Sequence, residues 1–293
     1  MRFVPSHRPR SSPLHSARAG AGAGFCCSLA LAGALYQHPL VLAAALAGVL
    51  LAASAADVGA QVRRTLWISL PLALLVTLVN PLVYADGDTL LVRGGTLLGH
   101  RLDVTLEALV AGALAGLRVI VIVAAFGLLS AAVDPDELLR LFRRVSYRSA
   151  LTASLATRLV PVLARDAGRM SDAARCRARP PQRLAVLRAA VAGALDRAVE
   201  VAAALEVRGY ALAGRPARSR APWSRHDRRV AGAALAIAAC AVAGRIAGLG
   251  AVEAYPGLEL AAGPGEAALA LALVGLAGLP FAGAGARLGV ARG

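Results

Sequence analysis

Residues 104–131 read VTLEALVAGALAGLRVIVIVAAFGLLSA, a run that is apolar almost throughout. A helix rises about 1.5 Å per residue, so this run is long enough to cross the hydrocarbon core of a bilayer, about 30 Å. Five further apolar runs occupy 19–36, 39–56, 65–84, 229–250 and 266–286. In lipid such runs must be helical, because an unpaired backbone amide finds no water there. The sequence therefore predicts an all-α integral membrane protein with about six transmembrane helices.

The composition supports this class and argues against small metal or disulfide scaffolds. Apolar residues make up 58% of the 293 residues, and the mean hydropathy is +0.63. The four cysteines form no C-x-x-C pair and indicate neither a disulfide framework nor a zinc site. The basic N-terminus resembles a signal peptide. A second apolar run follows the first almost at once, so we expect no cleavage.

The placement of arginine predicts the orientation of the spans. The chain has 32 arginines and no lysine. Arginine accumulates on the cytoplasmic side of membrane proteins. If the N-terminus is inside, only Arg93 and Arg101 fall in outer loops, while Arg118 and Arg245 lie within spans. We therefore expect a multi-pass protein of the bacterial plasma membrane with both termini in the cytoplasm.

The same pattern predicts the domain organisation. A cytoplasmic tail (1–18) precedes the first transmembrane helices (19–131), and a cytoplasmic coupling-helix domain (132–228) separates these from the last ones (229–286) and a short tail (287–293). Residues 134–229 hold 20 arginines against nine acidic residues. This inserted block is where we look for function.

Two long amphipathic helices are predicted in the block. It opens with Asp134-Pro135-Asp136-Glu137, a strong helix start with Asp at the N-cap and Pro at the first helical position. A helix from Ser149 contains Pro161, which we expect to kink or break it. The next helix has an apolar stripe at alternating spacings of three and four and therefore needs a partner surface. The stripe is Leu184, Leu187, Val191, Ala194, Ala198, Val201 and Leu205, and the residues off it are Arg183, Arg188, Asp196, Arg197, Glu200 and Glu206.

Both helices end in arginine. Gly209 suits a left-handed C-terminal cap, and Arg208 lies in the last turn, where the helix dipole favours a cation. Its guanidinium fork is suited to a carboxylate-lined groove on a partner protein, although a solvated cation at a helix end explains the same residue. The preceding helix ends in Arg175-Cys176-Arg177-Ala178-Arg179, before two prolines that force a stop. Two successive helices that end in arginine favour binding to a partner groove over the interpretation as solvated cations.

These features resemble the T component of energy-coupling factor (ECF) transporters, the family of the cobalt-transport membrane protein and of vitamin-importer T subunits. Leu205-Glu206-Val207-Arg208-Gly209-Tyr210 resembles the second of the family's two Ala-Arg-Gly signatures, with Val207 in place of Ala. Asp134-Pro135-Asp136-Glu137-Leu138-Leu139 and Arg158-Leu159-Val160-Pro161 resemble the segments that lead into its coupling helices. The first signature departs from the pattern: one frame makes Arg177 the functional arginine, and the other makes it Arg179. We prefer Arg177.

The resemblance implies a subunit with no catalytic residues and no cofactor or metal of its own. Arg177 or Arg179, together with Arg208 and Gly209, would couple the chain to two cytoplasmic ABC ATPase subunits. The opposite surface of the helices would support a membrane-embedded S component that binds a transition metal such as cobalt, or a vitamin. ATP binding would shift the helices and reorient the S component.

Three other functions are weaker. A membrane enzyme would need an acidic or histidine cluster, and Asp86, Asp88, His100 and Asp103 lack metal-binding or phosphate-binding spacing. A nucleic-acid binder is disfavoured because aromatic residues make up only 4% of the chain. A conventional ABC importer permease explains the spans but not the arginine-ended pair. A G-x-x-x-x-G-K-[ST] loop requires lysine, so another chain must hydrolyse any ATP.

Overall fold

The computed structural model describes residues 12–83, 90–92, 96–97, 100–101, 104–142, 147–177, 183–209, 222–250 and 263–282. The helices are α1 (Pro13–Ser16), α2 (Ala19–Leu35), α3 (Pro39–Ala55), α4 (Gly59–Val83), α5 (Leu106–Ala132), α6 (Pro135–Phe142), α7 (Tyr147–Arg175), α8 (Arg183–Val207), α9 (Arg225–Ile246) and α10 (Pro264–Gly278), which a 3-10 turn (Leu279–Phe281) continues. The prediction of an all-α membrane protein is confirmed, since a helix occupies most of each predicted apolar run within the described residues.

Four helical segments are long and apolar enough to cross a membrane: 59–80, 106–132, 225–246 and 264–281. The first two apolar helices, α2 and α3, have 17 residues each and rise only about 26 Å, less than the hydrocarbon core. Pro39 is the first residue of α3, where its missing N–H costs no helical hydrogen bond.

A small β-structure, which the sequence did not predict, lies between α4 and α5. Its strands are β1 (Leu90–Val92), β2 (Thr96–Leu97), β3 (His100–Arg101) and β4 (Val104–Thr105). β1 pairs with β4 and β2 with β3, both antiparallel, so the two pairs are nested along the chain. The described residues of the segment that we expected to be an outer loop are therefore paired as short antiparallel strands.

The chain divides into two compact units, one formed by residues 1–138 and 223–293 and the other by 139–222. In the first unit, α2 packs between α5 and α9, and α3 packs against α10. The core of this bundle is built from fully buried apolar side chains, among them Phe25, Leu29, Val49, Leu128 and Ile237.

Hydrogen bonds at both ends show that α2 and α9 run in the same direction. Before α2, the N–H of Arg18 donates to Oδ1 of Asp227 in the first turn of α9 (2.7 Å). At the other end, the hydroxyl of Tyr36 donates to the carbonyl oxygen of Ala241 (2.7 Å). α9 therefore begins at the same end of the bundle as α2.

The antiparallel pair α4 and α5 meets along a seam of small residues. Gly112 and Gly116 lie one turn apart on α5, and the hydroxyl of Thr77 on α4 donates to the carbonyl oxygens of Ala73 (2.9 Å) and Gly112 (3.2 Å). A Cβ at Gly112 would lie 2.6 Å from the carbonyl oxygen of Thr77, and one at Gly116 would lie 2.9 Å from that of Ala73. Only glycine allows this approach. Such close packing drives helix association in lipid, where apolar contact alone gives no advantage.

Arg118 lies in the middle of α5 and faces the bundle. Its Nη2 donates to the carbonyl oxygen of Ala34 at 2.7 Å. Ala34 is in the last turn of α2, where carbonyls have no partner within their own helix. The contact satisfies a helix end that would otherwise be costly in lipid, and it gives a charged residue within a span a polar partner.

Candidate coupling surface

The second unit contains the two long helices, α7 and α8. α7 runs through Pro161 without ending, so Pro161 does not break the helix, and the kink that the sequence offered as the alternative stays a prediction. A proline removes one backbone hydrogen bond, and the turns on either side of Pro161 in this 29-residue helix remain helical. Pro135 is the first residue of α6, and the N–H of Leu138 donates to the carbonyl oxygen of Asp134 (3.0 Å), so the predicted helix start is present.

Arg208 is the first residue beyond α8. Its N–H donates to the carbonyl oxygen of Ala204 (3.2 Å), which completes the last turn, and its side chain is exposed. Gly209 follows with φ of 72° and donates its N–H to the carbonyl oxygen of Glu206 (2.9 Å). This is the left-handed helix end that the glycine predicts, because a side chain is strained at such a φ. The helix therefore stops abruptly and leaves the guanidinium of Arg208 at its tip.

Arg177 occupies a similar place at the end of α7. The helix ends at Arg175, and the N–H of Arg177 donates to the carbonyl oxygen of Ala174 (3.4 Å). Its side chain is exposed. Arg179, the alternative arginine of the first signature, lies outside the described residues.

The partly buried face of α8 includes only part of the apolar stripe that the sequence predicted, namely Ala194, Val201 and Leu205. The partly buried residues of α8 are Val186, Ala190, Gly193, Ala194, Arg197, Val201 and Leu205. Three members of the predicted stripe, Leu184, Leu187 and Val191, are more than half exposed instead. Three small residues, Ala190, Gly193 and Ala194, lie in the middle of this partly buried face and allow α7 to approach closely. The larger side chains of the stripe are left without cover in this unit.

Sequence reasoning missed one polar contact at this crossing. Asp166 on α7 pairs with Arg169 on the same helix and with Arg197 on α8, although Arg197 was predicted to lie off the packed face. The pair spans 31 residues, so no local pattern could reveal it. Arg188, also predicted to lie off the stripe, is exposed.

The residues considered for an enzyme do not form a site in the part of the chain that the structure describes. Asp86, Asp88 and Asp103 lie outside it, and His100 is in β3. No group of three or more His, Cys, Asp or Glu side chains placed to hold a metal ion occurs among the described residues. Cys26 is buried, Cys240 is partly buried, and Cys27 and Cys176 are exposed; all four are free thiols.

A comparison with protein families supplies the identification. Residues 10–218, more than half of the chain, match the model of CbiQ, described as cobalt transport protein. The chain belongs to this family. The matched region runs from the residues before α1 through both arginine-ended helices and stops before α9. No curated protein matches the chain.

Membership, together with the apolar helices, identifies a multi-pass membrane component of a cobalt transport system rather than an enzyme. Such a component works within a complex. The family membership agrees with the resemblance that Val207-Arg208-Gly209 and the preceding helices suggested from the sequence alone.

Proposed function

We propose that the chain is the T component of an ECF-type importer in a bacterial plasma membrane and transmits motion from two ABC ATPases to an S component. The observation that carries this proposal is the pair of long helices, each with an exposed arginine just beyond its end, at Arg177 and Arg208. A guanidinium held at a helix tip presents its donors in a fixed direction, which suits a carboxylate-lined groove.

The uncovered apolar residues of α8 supply the second surface that a T component needs. Leu184, Leu187, Val191, Leu195 and Val199 are each more than half exposed. They extend over four turns of one side of the helix, and a contiguous apolar patch on a charged helix is typical of a partner contact. We assign this patch to the S component and the arginine tips to the ATPases.

The residues of this chain indicate which steps belong to the other subunits. A chain without lysine has no P-loop lysine for nucleotide phosphates, so ATP hydrolysis belongs to the ATPases. The His, Cys, Asp and Glu side chains form no cluster of three or more among the described residues, and we assign cargo binding to the S component. The family description favours cobalt as cargo.

A mild-detergent purification of the tagged chain from its own host, followed by mass spectrometry, tests the assignment. We expect two ABC ATPase subunits and one small, very apolar membrane protein to co-purify. A conventional permease would bring ATPases but no such small membrane protein. Recovery of the chain without any ATPase would contradict the proposal.

The proposed orientation makes a separate prediction. Gln37 lies exposed between α2 and α3 and should face outward, while Glu200, exposed on α8, should face the cytoplasm. In a cysteine-free version of the protein, a cysteine at position 37 should react with an impermeant maleimide on intact cells. A cysteine at position 200 should react only after the membrane is opened. The reverse pattern would place the arginine-rich block outside and exclude contact with cytoplasmic ATPases.

A further inference from the structure

One carboxylate joins the two long helices. Oδ1 of Asp166 accepts a hydrogen bond from Nη2 of Arg169, one turn further along α7. Oδ2 accepts one from Nη1 of Arg197 on α8 at 2.5 Å. The side chain of Asp166 is only 14% exposed, whereas that of Arg197 is 37% exposed, so the cross-helix pair is partly buried.

A second close approach shows the register of the two helices around this pair. Met170 lies four residues after Asp166, and Gly193 lies four residues before Arg197, so each pair of residues is one turn apart on its helix. A Cβ at Gly193 would lie 3.8 Å from the terminal methyl of Met170. Asp166 therefore meets Arg197 one turn from the place where Met170 meets Gly193, as expected for antiparallel helices.

The two contacts differ in how strongly they restrict sliding of one helix along the other. Contact between a methionine and small residues is non-directional and tolerates sliding of one helix along the other. A hydrogen bond between ionised groups has a preferred length and angle. Of these two contacts, the one made by the carboxylate of Asp166 defines one position of α8 along α7.

The ion pair stays intact at cytoplasmic pH. Hydrogen bonds from Arg197 and then from Arg169 hold the pKa of the Asp166 carboxyl below its usual range. Since this pKa is lowered on folding, the stabilisation is present above the ordinary carboxyl pKa of about 3.9 and disappears only as the pH falls through the lower value. Ordinary changes in cytoplasmic pH do not release it.

We propose that Asp166 is a positioning residue that clasps α7 to α8, so that the two helices and their terminal arginines move as one rigid lever. This proposal rests on the proposed function, since a lever needs ATPases at one end. Without the clasp the helices remain paired but slide, and the motion of the ATPases is lost between α7 and α8. ATP hydrolysis then continues while transport falls.

The test uses spin labels at two exposed positions, Ala164 on α7 and Ala198 on α8, in the cysteine-free full-length chain. The labelled chain is measured in liposomes, alone and assembled with its co-purifying subunits. We expect Asp166→Ala and Arg197→Ala to broaden the distance distribution between the labels. Cargo transported per ATP hydrolysed should fall about tenfold, the factor that one lost charge-assisted contact corresponds to. Asp166→Glu, which keeps the charge, should restore most of it.

The matched controls are Asp196→Ala and Arg188→Ala. Both residues are exposed on α8, and Asp196 is the neighbour of Arg197 in the chain. Neither should change the distances or the coupling ratio. An unchanged distance distribution in Asp166→Ala overturns the clasp. A broadened distribution with an unchanged coupling ratio overturns the positioning role. Failure of the proposed function is seen separately, as absence of ATPases from the purified complex, while the distances in the chain alone still report on the clasp.

Discussion

The double variant Arg177→Ala/Arg208→Ala is expected to lose its ATPase partners on purification, while its membrane level stays close to that of the unchanged chain. Each arginine lies beyond the end of its helix with an exposed side chain, so its removal breaks no contact of the fold in the described part of the chain. Each anchor corresponds to a charge-assisted contact of about 1.5–3 kcal/mol, or roughly 10- to 150-fold in affinity. Because two anchors tether one assembly, losing both should cost more than losing either.

The controls for this experiment separate charge from geometry. Arg188→Ala removes an exposed arginine from the side of α8 and should leave ATPase co-purification unchanged. Arg208→Lys keeps the charge but loses the planar fork of donors, so it should restore binding only in part. If Arg208→Ala retains as much ATPase as Arg188→Ala, then Arg208 is not an anchor. If Arg179→Ala is damaging and Arg177→Ala is silent, the first signature uses the other frame.

Features set by local chemistry were predictable from the sequence. The six apolar helices follow from the composition of each run, the start of α6 follows from Asp134-Pro135, and the left-handed end of α8 follows from Gly209. In each case the deciding interaction lies within a few residues of the chain. The same holds for the exposed arginines, because a charged residue at a helix end extends into solvent.

Features set by the meeting of two helices were not predicted. The apolar periodicity of α8 identified a stripe of seven residues, but only three of them lie on the partly buried face, beside Ala190, Gly193 and Arg197. Close approach is controlled by side-chain volume, which a division into apolar and polar residues ignores. A charged residue was read as solvent-facing, whereas Arg197 finds its partner 31 positions away. The visible signal for close approach was a small residue at a fixed helical position.

Small residues at a fixed helical spacing also occur in an apolar helix, as Gly112-x-x-x-Gly116 on α5. Replacing them is expected to give the second large effect, a loss of stability. Gly112→Ala/Gly116→Ala should separate α4 from α5, because the added methyl groups would meet backbone oxygens of Thr77 and Ala73 at 2.6 and 2.9 Å. Backbone cannot move aside as a side chain can. Overpacking of this kind costs about 1–3 kcal/mol at each site, and the two costs are not additive because the sites are adjacent. The thermal unfolding midpoint in detergent should fall by roughly 5–10 °C.

Gly275→Ala is the matched control, since Gly275 also lies inside an apolar helix, α10, but a Cβ there would meet nothing within 4 Å. Its unfolding midpoint should be unchanged or slightly higher, because alanine favours the helix over glycine by about 0.5–1 kcal/mol. An unfolding midpoint of the double variant equal to that of Gly275→Ala would show that α4 and α5 do not need the glycine seam. A loss confined to the double variant would assign the stability of the α4–α5 pair to backbone contact. In that case the exposed side chains of α4, such as Trp67, Ile68 and Leu74, contribute to contact with lipid or a partner and not to the fold.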